Sequence, residues 1–140
     1  LDFYSGVGSF GIECISRGAK KTTFVENDSK VLLVLKKNID YLRIENKSNI
    51  IKNKIISFIG QFKDKSKFDI IFFDPPFAEN YFINELKLLK KSNIFAKDHL
   101  IIIHREKKTR DDLSGILNIL TTKNYGRSKV IFGDFNLSIS

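Results

Sequence analysis

A glycine-rich segment near the start of the chain has the composition of a nucleotide- or nucleoside-binding turn. Gly6, Gly8 and Gly11 form the pattern G-x-G-x-x-G between a strand-like segment and a helical one. Glycine at these positions allows a tight turn and a close approach of the backbone to a ligand, which the N-terminus of the following helix would face. By itself the pattern is a weak signal, because dinucleotide-binding enzymes share it. A glycine turn that only tightens a strand against a helix is the structural alternative.

An acidic residue follows this turn at a distance typical of nucleoside-binding sites. Glu26 ends the run Thr22–Glu26, about twenty residues after the glycines, where an acid accepts hydrogen bonds from ribose hydroxyls. A surface glutamate at the end of a strand is the structural alternative. The two features together favour a bound nucleoside, and they do not distinguish NAD from S-adenosylmethionine.

A third candidate segment contains two consecutive prolines. The run Phe68–Phe73 is nearly all apolar, which is typical of a strand covered on both faces, and the residues that follow it are Asp74, Pro75, Pro76 and Phe77. The prolines stiffen the loop and lack N–H donors, so backbone carbonyls can point at a ligand. With the Asp74 carboxylate and the Phe77 ring, they suit the exocyclic amino group of a planar base. A rigid turn with a solvated aspartate is the structural alternative.

Apolar periodicity and turn residues predict strands and helices that alternate along the chain. The predicted strands cover residues 1–4, 22–26, 49–51, 68–73 and 99–104. Helices are predicted over residues 10–17, 28–42 (with Asp28 as N-cap), 55–62, 80–91 and, as a short one, 111–120, before an antiparallel hairpin over 125–135. Strands separated by helices require right-handed crossovers, so we expect an α/β fold with a mostly parallel, doubly wound sheet. Such sheets bind ligands at the carboxyl ends of their strands.

Composition fits an ordinary globular domain and excludes several classes of protein. The 140 residues and 16.1 kDa predict one domain, and 42% hydrophobic with 29% charged residues argues against intrinsic disorder. The apolar runs are too short for a transmembrane helix. The single cysteine, Cys14, can form neither an internal disulfide nor a multi-cysteine metal site, so we expect a cytoplasmic protein. Because no methionine is present, we expect that a segment upstream of Leu1 is missing.

The chain is strongly basic, with 24 Lys and Arg against 16 Asp and Glu and a net charge of +8. This charge favours a polyanionic partner, most simply RNA or DNA, although it governs encounter and affinity rather than chemistry. The abundance of lysine, asparagine and isoleucine has a second explanation in the nucleotide composition of the genome. Clusters of lysine and arginine at residues 63–67 and 107–110 are candidates for phosphate contacts and equally for ordinary surface charge.

These motifs, in their order along the chain, resemble those of the RsmD-type methyltransferases. The similar segments are residues 1–13, the Ser-Arg-Gly-Ala step at 16–19, residues 24–26 and residues 68–77, within a match that runs to about residue 135. Members of this family are bacterial enzymes that methylate the N2 amino group of a guanine in small-subunit (16S) ribosomal RNA. The resemblance implies a Rossmann-like class I methyltransferase fold, S-adenosylmethionine as cofactor, and 16S rRNA or the small ribosomal subunit, including an assembly intermediate, as partner. We also expect a monomer that does not bind a membrane.

The resemblance assigns residues to two parts of a site. The implied cofactor-binding residues are Asp2, Tyr4, Gly6, Gly8, Gly11, Glu26, Asn27 and Asn53, and the implied catalytic residues are Asp74, Pro75, Pro76 and Phe77. The chain departs from the family pattern where an acid normally receives the adenine amino group, so Asn53 or a nearby carbonyl would have to replace it. His104 also stands where an acid is expected. The family's usual upstream segment, a basic hairpin with a helix, is not in this sequence.

The predicted chemistry is direct in-line transfer of a methyl group to guanine N2, without a metal. Asp74 and the Pro75 carbonyl would accept the two amino hydrogens and turn the nitrogen lone pair towards the methyl group, while Phe77 stacks on the unstacked base. Other functions fit parts of the pattern. They are amino methylation of DNA adenine or of a protein glutamine, an NAD-dependent oxidoreductase, and a catalytically impaired RNA-binding fragment.

Overall fold

The structure is a computed structural model of the chain, and it describes residues 1–76 and 80–136. The chain divides into two units, Leu1–Phe58 and Ile59–Ser140. The helix α3 (Ile55–Gln61) contains the point of division. Among the described helices, none has both the length and the hydrophobicity needed to cross a lipid bilayer.

The first unit consists of parallel strands with helices between them. Its elements, in chain order, are β1 (Asp2–Phe3), α1 (Ser9–Ser16), β2 (Thr22–Glu26), α2 (Ser29–Leu42) and β3 (Ser48–Lys52). Strand β2 pairs in parallel with both of its neighbours, in the order β3-β2-β1. The carboxyl ends of these strands therefore share one edge, and the glycine turn leaves β1 there, with Ser5 N donating to Val25 O at 3.2 Å.

Helix α2 begins where its sequence predicts and buries one face. The Asp28 side chain caps it by accepting hydrogen bonds from the backbone N atoms of Lys30 at 2.8 Å and Val31 at 3.2 Å, a contribution of about 1 kcal/mol. The apolar face of α2 packs in a buried cluster with residues of α1 and β2, namely Ile15, Phe24, Leu32, Leu35 and Ile39. This core fixes the helices that follow the glycine turn against β2.

The second unit combines a parallel strand pair with an antiparallel hairpin. After the end of α3, its elements are β4 (Phe68–Phe73), α4 (Phe82–Lys91), β5 (Phe95–Glu106), β6 (Asn118–Tyr125) and β7 (Ser128–Asp134). Strands β4 and β5 are parallel, with Phe73 opposite Ile103, and β7 runs antiparallel between β5 and β6. Phe73 and Ile103 are both fully buried, so the core of this unit extends to the end of β4.

The prediction of a short helix over residues 111–120 is wrong. The segment makes a single turn, in which the backbone N atoms of Ile116 and Leu117 both donate to Leu113 O at 3.1 Å. Gly115, with φ of +73°, then takes the backbone out of helical geometry. The β-branched residues that follow pair with β7, because strand pairing overrides the local apolar spacing. The hairpin therefore covers residues 118–134 instead of 125–135, and β5 is longer than the predicted 99–104.

Candidate functional site

The Glu26 carboxylate, at the end of β2, is held against the glycine turn. Its Oε1 accepts a hydrogen bond from the Gly6 backbone N at 3.0 Å, and its Oε2 accepts from the backbone N atoms of Asn27 and Asp28, both at 2.9 Å. An ionised carboxylate has about four acceptor positions, so these three bonds leave capacity for another donor. The structure thus brings Glu26 and the turn together and retains an acceptor for a ligand hydroxyl.

The glycines of the turn have different structural roles. A Cβ on Gly8 would lie 2.4 Å from Leu35 Cδ1, and a Cβ on Gly11 would lie 2.3 Å from Phe24 Cε1, so both positions require glycine for close packing. A Cβ on Gly6 would meet no described atom within 4 Å, although its φ is +56°. The backbone at Gly6 therefore borders open space, which a ligand needs in order to approach it.

The two residues that precede Gly6 each have one unusual structural feature. Ser5 Oγ is buried and has no hydrogen-bond partner among residues 1–76 and 80–136. A buried hydroxyl without a partner costs about 1–3 kcal/mol, which a polar group of a ligand would offset. Tyr4 has φ of +57°, a left-handed conformation that is uncommon for a residue other than glycine. Backbone strain and unpaired polar groups occur often at ligand-binding sites.

Asp2 lies beneath the turn and contacts the helix that follows it. The residue is 1% exposed, and its Oδ2 accepts a hydrogen bond from Gly11 N at 3.1 Å. Gly11 is in the first turn of α1, and the N-cap residue of that helix, Gly8, makes no side-chain capping bond. Asp2 therefore supplies, from β1, the acceptor that a capping side chain usually provides. Its contact with a cofactor stays a prediction.

Asn53 and Asn27 lie beside Glu26 at the same edge of the first unit. Asn53 N donates to the Glu26 backbone O at 3.2 Å, which joins the ends of β2 and β3. Asn53 Oδ1 accepts from Lys54 N at 2.9 Å, and the Asn27 side chain is exposed. Both asparagines are thus near the predicted ribose acceptor, and their contacts with adenosine stay predictions.

Replacing Gly11 with alanine is expected to lower the free energy of unfolding by about 1–3 kcal/mol, because Phe24 is fully buried and cannot move aside. Gly60 is the matched control. It is an exposed residue of α3 whose added Cβ would meet no described atom within 4 Å, so Gly60→Ala should be neutral or stabilise by up to about 1 kcal/mol. Denaturant unfolding of both variants measures the difference. Equal midpoints for the two would contradict the packing role of Gly11.

In the second unit, Asp74 follows β4 and contacts β5. Its Oδ1 lies 2.8 Å from His104 Nδ1, and the Asp74 side chain is 45% exposed. The parallel register explains this contact, because Phe73 opposite Ile103 puts the next residue of each strand side by side. His104, which stands where the family pattern has an acid, is thus a partner of the Asp74 carboxylate. Asp74 can accept a hydrogen bond from a ligand while His104 fixes its orientation.

Arg105, which sequence analysis did not select, holds the loop that follows Asp74. It is 1% exposed, and its Nη1 donates to Pro76 O at 3.1 Å. Its Nε and Nη2 donate to the two carboxylate oxygens of Asp111, at 2.8 and 3.3 Å. The guanidinium also lies 4.7 Å from the centre of the Phe82 ring, a cation–π geometry.

A signal for Arg105 was present in the sequence. Arg105 continues the alternation of fully buried Ile101 and Ile103 along β5, and successive alternate residues of a strand face the same side. A cation at such a position is almost never buried without a partner. Sequence alone did not identify that partner, because Asp111 lies in the loop after β5 and Pro76 lies about thirty residues earlier in the chain.

Several other polar residues have packing roles. His99 is 6% exposed, with Nδ1 2.7 Å from Ala96 O and Nε2 accepting from Phe135 N at 2.9 Å. Burial raises the pKa of the Cys14 thiol, which lowers its reactivity. Within residues 1–76 and 80–136, no group of three or more His, Cys, Asp or Glu is arranged to hold a metal ion.

The structure therefore groups the sequence-predicted residues into two sets. The set predicted to bind the cofactor lies in the first unit, around the glycine turn and Glu26. Of the set predicted to be catalytic, Asp74, Pro75 and Pro76 lie in the second unit, with Pro75 buried and Pro76 exposed. Phe77 lies outside the described residues.

Parallel strands joined by helices and followed by a C-terminal antiparallel hairpin define a class I methyltransferase fold, as the sequence predicted. A putative methylase of Haemophilus influenzae has this fold, with a TM-score of 0.81 and 30% identity over 94% of this chain and 84% of that one. A second solved structure, a putative methyltransferase complexed with SAH, has a TM-score of 0.76 and 14% identity over 94% of this chain and 43% of that one. At this identity the likeness concerns the fold alone.

The family model described as conserved hypothetical protein 95 matches residues 1–134, and the chain belongs to that family. The ribosomal RNA small subunit methyltransferase D of Haemophilus influenzae is 37% identical over 108 residues, which are 76% of this chain and 56% of that protein. The resemblance to the RsmD-type methyltransferases is thus confirmed. The chain spans just over half the length of the curated relatives it matches.

Proposed function

We propose that the chain transfers a methyl group from S-adenosylmethionine to the exocyclic N2 of a guanine in small-subunit (16S) ribosomal RNA. The observation that carries the proposal is a family match over residues 1–134 that includes an exposed carboxylate, Asp74, at the end of β4. Relatives named as small-subunit rRNA methyltransferases support the substrate. The net charge of +8 suits a polyanionic partner.

The residues around the glycine turn fit S-adenosylmethionine. Ser5 Oγ is buried without a partner among the described residues, Gly6 borders open space, and Glu26 has acceptor capacity for a ribose hydroxyl. Relatives named as methyltransferases support this ligand, and the fold shared with a putative methyltransferase complexed with SAH is compatible with it. S-adenosylmethionine, when bound, supplies a methyl group on a positively charged sulfur. Glu26 and the backbone of the turn would hold its ribose, with Asn27 and Asn53 beside them.

Asp74 and Pro75 are proposed to orient the guanine amino group. The amino nitrogen is a poor nucleophile, because its lone pair is delocalised into the ring. The Asp74 carboxylate and the Pro75 carbonyl accept its two hydrogens, which aims the lone pair at the electrophile. As positive charge develops on the nitrogen, the Asp74 carboxylate stabilises it. Phe77 is proposed, from the sequence, to stack on the base once it has left its helix.

Labelled methyl transfer into small ribosomal subunits from cells that lack this methylation tests the proposal. Nucleoside analysis of the product should give N2-methylguanosine. The same assay is repeated with DNA and with protein as the acceptor. Label in methyladenine of the DNA, or in glutamine of the protein, would instead support one of the alternative amino methylation reactions. If the chain binds RNA but does not bind S-adenosylmethionine, the proposed enzymatic activity is contradicted, and the chain is a catalytically impaired RNA-binding fragment.

Replacing Glu26 with glutamine is expected to weaken S-adenosylmethionine binding by about 10- to 100-fold, the effect of losing a charge-assisted hydrogen bond. Glu13→Gln is the control, since Glu13 is an exposed residue of α1 whose recorded partner is Arg17 at 2.8 Å. Calorimetry with each variant gives the dissociation constants. An unchanged affinity in Glu26→Gln would exclude Glu26 from the cofactor site.

The finer features of the partner and location are also proposals. A substrate in the small ribosomal subunit, including an assembly intermediate, would locate the protein in the bacterial cytoplasm. We propose that residues 1–140 act there as one methyltransferase domain of a monomer that does not bind a membrane.

A further inference from the structure

Positive charge is concentrated in the part of the second unit that follows β5. Residues 105–129 contain seven Lys or Arg and three Asp or Glu, so this stretch carries half of the net charge of +8. One cation and one acid of this stretch, Arg105 and Asp111, are buried against each other. Most of the remaining cations are exposed, and we call five of them with one aromatic residue the turn cluster: Lys107, Lys108, Arg110, Lys123, Arg127 and Tyr125.

Hydrogen bonds of the backbone bring the members of the turn cluster to one end of the sheet. Lys107 N donates to Arg127 O at 2.6 Å, which joins the segment after β5 to the turn between β6 and β7. The register pairs Ser128 with Glu106 on one side and with Tyr125 on the other. Lys129 Nζ donates to Thr109 O at 2.5 Å and holds the segment after β5 in place.

The same end of the sheet contains the proposed catalytic loop. Val130 of β7 is paired with His104 of β5 and with Lys123 of β6, and directly paired residues of antiparallel strands share a face. His104 contacts Asp74 on this face. Since neighbouring strands lie about 4.8 Å apart, Lys123 is displaced from His104 by roughly 10 Å across the sheet.

Exposed cations next to an exposed aromatic side chain are typical of surfaces that bind RNA. Tyr125 is 58% exposed and shares the face of Lys123, because the two are separated by one residue of the strand. Lys and Arg neutralise phosphates and fix the register of an RNA, while an aromatic ring stacks on an unpaired base. One acidic residue, Glu106, contacts this cluster: its Oε1 lies 3.5 Å from Lys108 Nζ.

We propose that the turn cluster binds the RNA substrate, with its lysines and arginines on phosphates and Tyr125 stacked on a base that neighbours the target guanine. This inference rests on the proposed methyl transfer to RNA, and it adds the surface that orients the RNA over Asp74. The turn cluster makes phosphate contacts without selecting the base, which is the task of the Asp74 loop.

A charge-matched pair of triple variants tests this surface. Lys107→Gln, Lys108→Gln and Lys123→Gln are combined in one protein. Lys20→Gln, Lys36→Gln and Lys37→Gln are combined in the control, which has the same net charge and loses only exposed lysines of the first unit. Binding of a fluorescent 16S rRNA stem–loop to the full chain is measured over a range of salt concentrations, with S-adenosylmethionine binding as a check of folding.

The turn-cluster variant should bind RNA about 30-fold more weakly, and the magnitude of its salt slope should fall by about 2–3, since three phosphate contacts are lost. The control should remain within about threefold of the original chain. Tyr125→Leu should weaken binding by about 5- to 100-fold, and Tyr125→Phe should restore it because stacking requires only the ring. Equal losses of RNA affinity in the two triple variants would contradict the proposal that the turn cluster binds RNA.

Methyl transfer measured on the same proteins separates this inference from the function on which it rests. If the turn-cluster variant binds RNA as well as the original chain and methylates it with an unchanged KM, the turn cluster does not bind the RNA substrate. The proposed methyl transfer to RNA would still be supported. If only the turn-cluster variant loses RNA binding, and neither the original chain nor any variant methylates RNA, the turn cluster is an RNA-binding surface and the proposed reaction is wrong.

Discussion

Asp74→Ala should lower kcat for methyl transfer by a factor of about 10²–10³, the range found when one electrostatic contact to a developing charge is removed. The substitution removes an acceptor for an amino hydrogen and the negative charge that stabilises the nitrogen as it becomes positive. S-adenosylmethionine binding should be unchanged, because Asp74 is not among the residues proposed to hold the cofactor. Single-turnover kinetics with calorimetry of cofactor binding measure both quantities.

Two further variants sharpen this test. Asp74→Asn keeps an acceptor oxygen and loses the charge, so its kcat should lie between those of the original chain and Asp74→Ala. Asp69→Ala is the control, since Asp69 is an exposed aspartate of the same strand, β4, and should leave kcat unchanged. A kcat in Asp74→Ala within threefold of the original would exclude Asp74 from the chemistry.

Arg105→Ala should lower the free energy of unfolding by about 3–5 kcal/mol, because it leaves the buried Asp111 carboxylate without its partner. Typical domains are stable by only about 5–15 kcal/mol, so this loss is large. The same substitution removes the donor to the Pro76 carbonyl, and we therefore expect turnover to fall as well. Denaturant unfolding gives the first effect, and kcat at saturating substrates gives the second.

A double variant separates stability from positioning. In Arg105→Met with Asp111→Leu, apolar side chains replace both members of the pair, and such replacements of buried ion pairs are often neutral or stabilising. We expect most of the stability to return while kcat stays at least tenfold low, since Pro76 O still lacks its donor. Leu89→Ala is the control, because it removes buried volume, at a cost of about 2–5 kcal/mol, in a helix residue that is fully buried. If kcat instead followed stability across these variants, Arg105 would be a structural residue only.

The proposed catalytic loop is held on two sides by successive residues of β5. His104 contacts Asp74 at 2.8 Å, and Arg105 contacts Pro76 at 3.1 Å. Because neighbouring residues of a strand point to opposite faces, the two contacts reach the loop from both faces of the sheet. In the proposed mechanism the Asp74 carboxylate and the Pro75 carbonyl are aimed at one amino group. Contacts to Asp74 and to the adjacent Pro76 would limit their displacement, and small displacements cost catalytic rate.

Local sequence predicted the elements whose signals are local. Thr22–Glu26 and Phe68–Phe73 were predicted with their observed limits, because a short run of β-branched and aromatic residues specifies a strand wherever it pairs. Helix α2 was predicted from its N-cap, Asp28, and its apolar face. The conformation of residues 111–120 was not predicted, because their apolar spacing suits a helix. In the structure Gly115 ends the helical turn, and residues 118 and 119 pair with β7.

The candidate site shows the same division. By its motifs the sequence alone determined the family, the class of fold, the strand ends that carry the site, and the candidate residues Glu26 and Asp74. Only the tertiary structure distinguished Gly6, which borders open space, from Gly8 and Gly11, which packing requires. It alone revealed the contacts of Arg105 and the concentration of cations beside β7. Motifs record which chemical groups are present, whereas the partners of a buried or exposed group depend on segments far apart in the chain, which the sheet brings together.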